Sequence, residues 1–129
     1  MRVVYDDSQA NLAVNIINEC IKDFKVSLDY FLEYESKINR IQTDRLRKRI
    51  NKRLEEHGFR IGNTVTHAHG IGNNCAYPVY FDTPDEIQEC CTICINRGMY
   101  GEAWVYLKDY DNNTIGKTYR LSYRGIKEI

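Results

Sequence analysis

Neither glycine nor proline occurs between Ser8 and His57. These two residues are the strongest punctuation of local structure, so a stretch of this length without either is committed to helix. The apolar positions agree: Ile17, Cys20, Ile21, Phe24, Leu28, Phe31 and Leu32 recur at helical spacing behind a cap at Asp7 or Ser8. Ile38 and Ile41, then Leu46, Ile50 and Leu54, carry the stripe onward, and Gly58 supplies the stop. The segment is therefore one very long helix or two. Phe24, Val26, Leu28 and Tyr30 also alternate as a strand would, which leaves room for a break, and Thr43-Asp44 is the natural second cap.

Beyond Gly58 the period changes. Alternation through Phe59, Val65, His67 and His69, a glycine-rich loop, and the aromatic run Tyr77-Pro78-Val79-Tyr80-Phe81 predict two paired strands. Thr83-Pro84-Asp85-Glu86 reads as a capping box with proline at the first helical position. It predicts an inserted helix from Pro84 to about Arg97, buried through Ile87, Cys90, Cys91 and Cys94 and stopped by Gly98. Two strands, 102–110 and 114–124, then form a C-terminal hairpin around Asp111-Asn112-Asn113, and Arg2 to Tyr5 is a short strand at the other end. The expected fold is α+β: N-terminal helices packed on an antiparallel sheet of four to five strands, with one inserted helix.

A chain of 129 residues, 43% of them hydrophobic, fits one domain with one core. Its 18 basic and 18 acidic residues cancel, so the long-range field of a dedicated nucleic-acid or membrane binder is missing. No apolar run is long enough to span a bilayer, the N-terminus lacks signal-peptide features, and the five cysteines form a poor disulfide framework. The expected location is cytoplasmic.

The stretch Thr66-His67-Ala68-His69-Gly70-Ile71-Gly72-Asn73-Asn74 is poor in packing residues. Its glycines permit positive φ and close backbone approach, and its asparagines carry amide donors and acceptors. It reads as a recognition loop. The hairpin sorts sharply by strand period: Ala103, Val105, Leu107, Tyr119, Leu121 and Tyr123 share one face, to be packed on the helices. The other face carries Trp104, Tyr106, Lys108, Thr118, Arg120, Ser122 and Arg124, a mixture suited to stacking a planar base and pairing with phosphate, although a solvated outer face has the same pattern.

Three other constellations weigh less. Arg45, Lys48, Arg49, Lys52 and Arg53 share one broad face of a helix over 44–56, a surface for nucleic acid or another anionic partner, but a solvated helix shows the same pattern and the zero net charge argues against nucleic acid as the partner. His67 and His69 have the spacing of two zinc ligands, but no third ligand is fixed by spacing. Cys91-Thr92-Ile93-Cys94 falls at core positions of the expected helix, where cysteine is structural. No nucleophile elbow, phosphate loop or paired-carboxylate signature is present, and nothing calls for a cofactor.

In its layout, with the Gly-Asn loop at Gly70 to Asn74, the aromatic strand ending in Phe81 and the basic-aromatic hairpin, the chain resembles the first Thoeris anti-defence family of phage proteins. Members of that family sequester cyclic ADP-ribose-type signal nucleotides and assemble as oligomers. The resemblance implies a non-catalytic sponge, working in the cytoplasm of a bacterial host, that stacks an adenine on an aromatic ring and holds the pyrophosphate with arginines and backbone amides. The residues favour the same class: a non-enzymatic binding protein for a nucleotide-like small molecule, with its site shared between subunits of a homo-oligomer. Phe81, Trp104 and Tyr106 would stack the base, Arg60, Arg120 and Arg124 would meet phosphate, and His67, His69, Asn73 and Asn74 would read the sugar or polar edges. The alternatives are an inhibitor of a host immune nuclease and a metal-dependent hydrolase using His67 and His69.

Overall fold

The structure, a computed structural model, describes residues 2–5, 7–25, 35–62, 65–68, 73–98, 102–122 and 125–129; of 2–5, 7, 35–41, 65–68, 73 and 74 it describes the backbone only. Two helices, α1 (Asp7–Asp23) and α2 (Glu35–Glu56), follow strand β1 (Arg2–Tyr5). Seven more strands complete the chain: β2 (Phe59–Ile61), β3 (Val65–Ala68), β4 (Asn73–Asp82), β5 (Glu86–Arg97), β6 (Ala103–Lys108), β7 (Thr114–Ser122) and β8 (Gly125–Glu128). The class is α+β, as expected, but the sheet is larger. Strands β2, β4, β5, β6, β7 and β8 lie side by side in that order, all antiparallel; β3 joins the edge of β4, and β1 runs parallel to the first half of β5.

Among the described residues the glycine-free half holds two helices; Leu28, Phe31 and Leu32 of the expected stripe lie outside them. α1 ends at Asp23, and the break falls in the stretch where helical and alternating patterns compete. α2 starts well before Thr43, which is buried inside it and is not a cap. Leu46, Ile50 and Leu54 are fully buried one helical turn apart and meet Ala13, Ile17 and Ile21 of α1 in the core cluster. Gly58 ends α2 with φ +87°, a conformation that costs an L side chain strain, and its N–H donates to the Glu55 carbonyl at 3.0 Å.

The expected inserted helix is instead β5, the centre of the sheet. The Thr83 motif makes one bond of a capping box but closes a turn: Glu86 N–H donates to Thr83 Oγ1 at 3.0 Å, while Thr83 N–H donates at 2.8 Å to the Glu86 backbone carbonyl and not to its carboxylate. A threonine hydroxyl serves a backbone N–H three residues on in either setting. The composition of the next segment decides between them. Residues 87–95 contain three isoleucines, a threonine and three cysteines, and no alanine or leucine, which fits a pleated, buried surface. Neighbours cover both edges of β5, and at Cys90-Cys91 a bulge sets two residues against Val79. The bulge and the burial of Cys90, Cys91, Ile93, Cys94 and Ile95 erase the two-residue alternation that would have announced a strand.

The hairpin faces sort as expected: Ala103, Val105, Leu107, Tyr119 and Leu121 are all buried against the helices. Asp109 and Asn112 close the turn, with Asn112 at φ 67° and Asn113 N–H donating to Asp109 Oδ1 at 2.8 Å. β8 extends the hairpin to a three-stranded meander. Its residues, Gly125-Ile126-Lys127-Glu128, hold a single large apolar side chain, so no pattern marks them, and the charged pair suits a sheet edge.

At the other edge, a Cβ on Gly62 would lie 2.8 Å from Tyr80 Cε2 and 2.9 Å from Pro78 Cγ, while its N–H donates to the Pro78 carbonyl at 2.7 Å. Gly62→Ala must displace both rings on β4 or shift its own backbone. The expected loss is about 1–3 kcal/mol of stability, read as a lower midpoint in urea unfolding with the slope unchanged.

Candidate functional site

Alternation along β4–β8 gives the sheet two unlike faces. One carries Val79, Ile93, Ile95, Val105 and Leu107 and forms one core with Ile17 and Ile50 of the helices. The other carries half-buried polar and aromatic side chains, among them Thr92, Asn96, Trp104, Tyr106, Lys108 and Arg120. Pairing sets these in rows. Asn96, Trp104 and Arg120 are consecutive partners across β5, β6 and β7, with Lys127 next on β8. Cys94 and Tyr106 form the adjacent row, and Thr92 and Lys108 the one after.

A shallow depression of about 370 Å³ opens between these rows and the β6–β7 turn, lined by Glu89, Thr92, Asn96, Tyr106, Lys108 and Tyr110, with Cys94 at its wall. Asn96 Nδ2 donates to Tyr106 Oη at 3.0 Å, so the two polar groups brace each other. Tyr110 stands 63% exposed at the rim. Beside the depression the Trp104 ring lies over Gly98: a Cβ there would sit 3.3 Å from its Cζ3. Arg120, paired with Trp104, has its Nε buried without a hydrogen-bond partner. A buried donor left unsatisfied costs about 1–3 kcal/mol.

Trp104, Tyr106 and Arg120 thus share one face. Arg60 points to the same face but from β2, three strand spacings or about 14 Å from β6. It is already engaged: Nε and Nη2 donate to the two Asp82 carboxylate oxygens at 2.7 and 3.0 Å, and the guanidinium lies 4.8 Å from the Tyr80 ring centroid. That bidentate bond holds the Asp82 carboxyl below its ordinary range and raises Arg60. Phe81 lies on the helix side, where its ring meets Phe59 edge-on at 5.4 Å, because it is one residue out of phase with Tyr80. It is part of the core packing and does not join Trp104.

Of the loop, the backbone register sets His67 opposite Asn74, Asn73 opposite Arg97 and Asn74 opposite Asn96. His69 and Arg124 lie outside the described residues. Among the described residues no group of three or more His, Cys, Asp or Glu side chains could hold a metal ion. The helix expected over 84–97 hid Asn96, Glu89 and Thr92 as candidates. A two-residue period counted back from Gly98 places Asn96, Cys94 and Thr92 with Trp104.

Cys91 and Cys94, three apart on a strand, face opposite sides of the sheet and cannot act as a pair. All five cysteines are buried. Burial pushes the Cys91 thiol far up, Cys90 and Cys94 adding to it, and raises Cys20 and Cys94 as well. The thiolate is the reactive form, so at pH 8 none of the five is expected to react with a thiol-specific disulfide reagent within minutes, whereas all five react in denaturant. Rapid reaction of the native protein with the reagent would contradict this burial.

No helix among the described residues is long and apolar enough to cross a membrane. Searches of protein-family models, of curated proteins and of solved structures find no match to the chain.

Proposed function

We propose that this protein binds and sequesters a nucleotide-type small molecule on the sheet face that the helices leave uncovered, without transforming it. One observation carries the reading: Trp104 and Arg120 are direct cross-strand partners, and the arginine's Nε lacks an acceptor. An aromatic ring beside an unsatisfied cationic donor offers a π surface for a base and a charge-assisted bond for a phosphate oxygen. The depression next to them supplies the polar remainder. Glu89 and Asp109 at its far side disfavour phosphate there, so the sugar and base edge belong with Asn96 and Tyr106 and the phosphate with Arg120.

The biological setting we attach to this reading is phage counter-defence, in which removal of a signal nucleotide silences bacterial immunity; it rests on the resemblance in layout to the Thoeris anti-defence family. The reading includes assembly as a homo-oligomer, with exposed Tyr110 at the site's rim meeting a neighbouring subunit. Light scattering on the purified protein reads that directly.

The test is thermal unfolding against a panel of mono-, di- and cyclic nucleotides, with the mass of the recovered ligand measured. A ligand that binds only the native state stabilises by RT ln(1 + [L]/Kd), about 2.7 kcal/mol at a hundredfold excess over Kd. A shift with the ligand recovered intact supports sequestration. Recovery of a cleaved ligand, or no shift with any member, overturns it.

A further inference from the structure

A second surface, on the helical side of the sheet, is marked by charge. Lys25, just past the end of α1, and Arg45, Lys48 and Arg49 of α2 border an open groove of about 520 Å³, with Phe24 in its wall and Asp23 its one carboxylate. In a chain of zero formal net charge, four cations against one anion among the described lining residues is a local concentration and not the overflow of a basic protein. Helical spacing in the sequence marks only the α2 half of it. The return of the chain at the end of α1 brings in Lys25.

The cations are arranged as a stripe. Arg45 is held at the groove wall, its guanidinium 5.2 Å from the Phe24 ring centroid and its Nη1 donating to Gln42 Oε1 at 2.6 Å. Lys48 and Arg49 are exposed, and exposed Lys52 and Arg53 continue the row one turn on. At 1.5 Å per residue, Arg45 to Arg53 spans about 12 Å. The surface ion pairs Arg60–Asp82 and Lys117–Glu128 lie elsewhere on the molecule. Like charges at helical i, i+3 and i+4 spacing repel, and a polyanion relieves that repulsion.

We propose that this groove binds the phosphate backbone of double-helical nucleic acid, without reading its sequence. Single strands are held by exposed aromatic platforms, and Phe24, the aromatic among the described lining residues, is only 7% exposed. A basic patch alone holds an anionic membrane only loosely and firm docking adds inserted apolar side chains, but the large hydrophobics exposed among the described residues, Leu12, Tyr110 and Ile129, do not line this groove. An open stripe suits a repeating polyanion better than a single nucleotide, which an enclosed pocket would bury. Among the described residues the lining holds cations, one carboxylate and no amide to reach a base edge, so the contact positions without specifying. This surface and the Trp104 face lie on opposite sides of the sheet and stand independently.

The experiment is fluorescence anisotropy of a labelled 20-base-pair DNA duplex with the full chain in 50, 100 and 200 mM KCl. Contact with about three phosphates gives a slope of log K against log salt near −2.7, which weakens binding about 40-fold over that range. The double variant Lys48→Ala/Arg49→Ala is expected to bind at least tenfold more weakly at 50 mM and to lose roughly two units of slope. Both side chains are exposed, so the fold is retained, which circular dichroism verifies. Lys117→Ala, remote on β7, is the control and leaves slope and affinity unchanged. Absence of binding at 50 mM, an unchanged slope in the double variant, tighter binding to the corresponding single strand, or binding only to phosphatidylserine vesicles would each overturn the proposal.

Discussion

Ile95→Ala is expected to cost about 2–5 kcal/mol and to lower the melting temperature by roughly 6–18 °C. Ile95 is 2% exposed, paired to Cys75 on one side and Val105 on the other, and sits in the core cluster with the helices. Removing three carbons there loses their transfer free energy and leaves a gap that a strand pinned on both edges cannot close. Against a typical stability of about 5–15 kcal/mol, that is a large fraction of the whole. A neighbouring substitution separates strand from helix. In a helix buried through Ile87, Cys90, Cys91 and Cys94, residue 95 extends the apolar stripe but residue 93 falls off it, so Ile93→Ala would cost little there; in the strand Ile93 is 1% exposed between Tyr77 and Leu107, and its truncation should cost as much as that of Ile95. Thr92→Ala is the matched control, since Thr92 is half-buried on the uncovered face, and it should change stability by less than about 1 kcal/mol. An effect of Ile93→Ala as small as that of Thr92→Ala would contradict the strand assignment. Chemical denaturation of the parent and the variants decides it.

Trp104→Ala and Arg120→Ala are expected to abolish the nucleotide-induced thermal shift while leaving the protein folded. For a ligand at a hundredfold excess over Kd the shift in the parent protein corresponds to about 2.7 kcal/mol, on the order of 8–10 °C for a chain of this size. Both variants should reduce it to within about 1 °C. Trp104→Ala also uncovers Gly98 and lowers the basal melting temperature, so Trp104→Phe provides the milder test: it retains a ring over Gly98 with less stacking area, and a partial shift is expected. Arg120→Ala removes the unsatisfied Nε along with the charge, so its basal stability should be unchanged or raised even as ligand response disappears. That opposite sign distinguishes loss of a binding group from general damage. An undiminished shift in both alanine variants would remove the site from this face.

Geometry also ranks the remaining positions for substitution. Arg60 is far from Trp104 and already bonded to Asp82, and Phe81 is in the core, so neither is a first choice. Asn96 and Tyr106, which brace one another, are better choices.

The sequence alone determined whatever depends on a local period. Leu46, Ile50 and Leu54 at four-residue spacing could bury only one side of a helix, and Ala103, Val105 and Leu107 against Trp104, Tyr106 and Lys108 could only be two faces of a strand. Gly58 and Asn112 took the positive φ that their positions required. Tertiary structure decided the rest. Thr83 Oγ1 accepts the Glu86 N–H in a turn as it would before a helix, and residues 86–97 became a strand because β4, β6 and β1 pair with both their edges and the helices cover one side. Which aromatics share a site came from that pairing: Phe81 and Tyr80 are neighbours in sequence yet lie on opposite faces, and Asn96 reaches Tyr106 only across strands. Partners across strands are fixed by register, a long-range property that no spacing along the chain encodes.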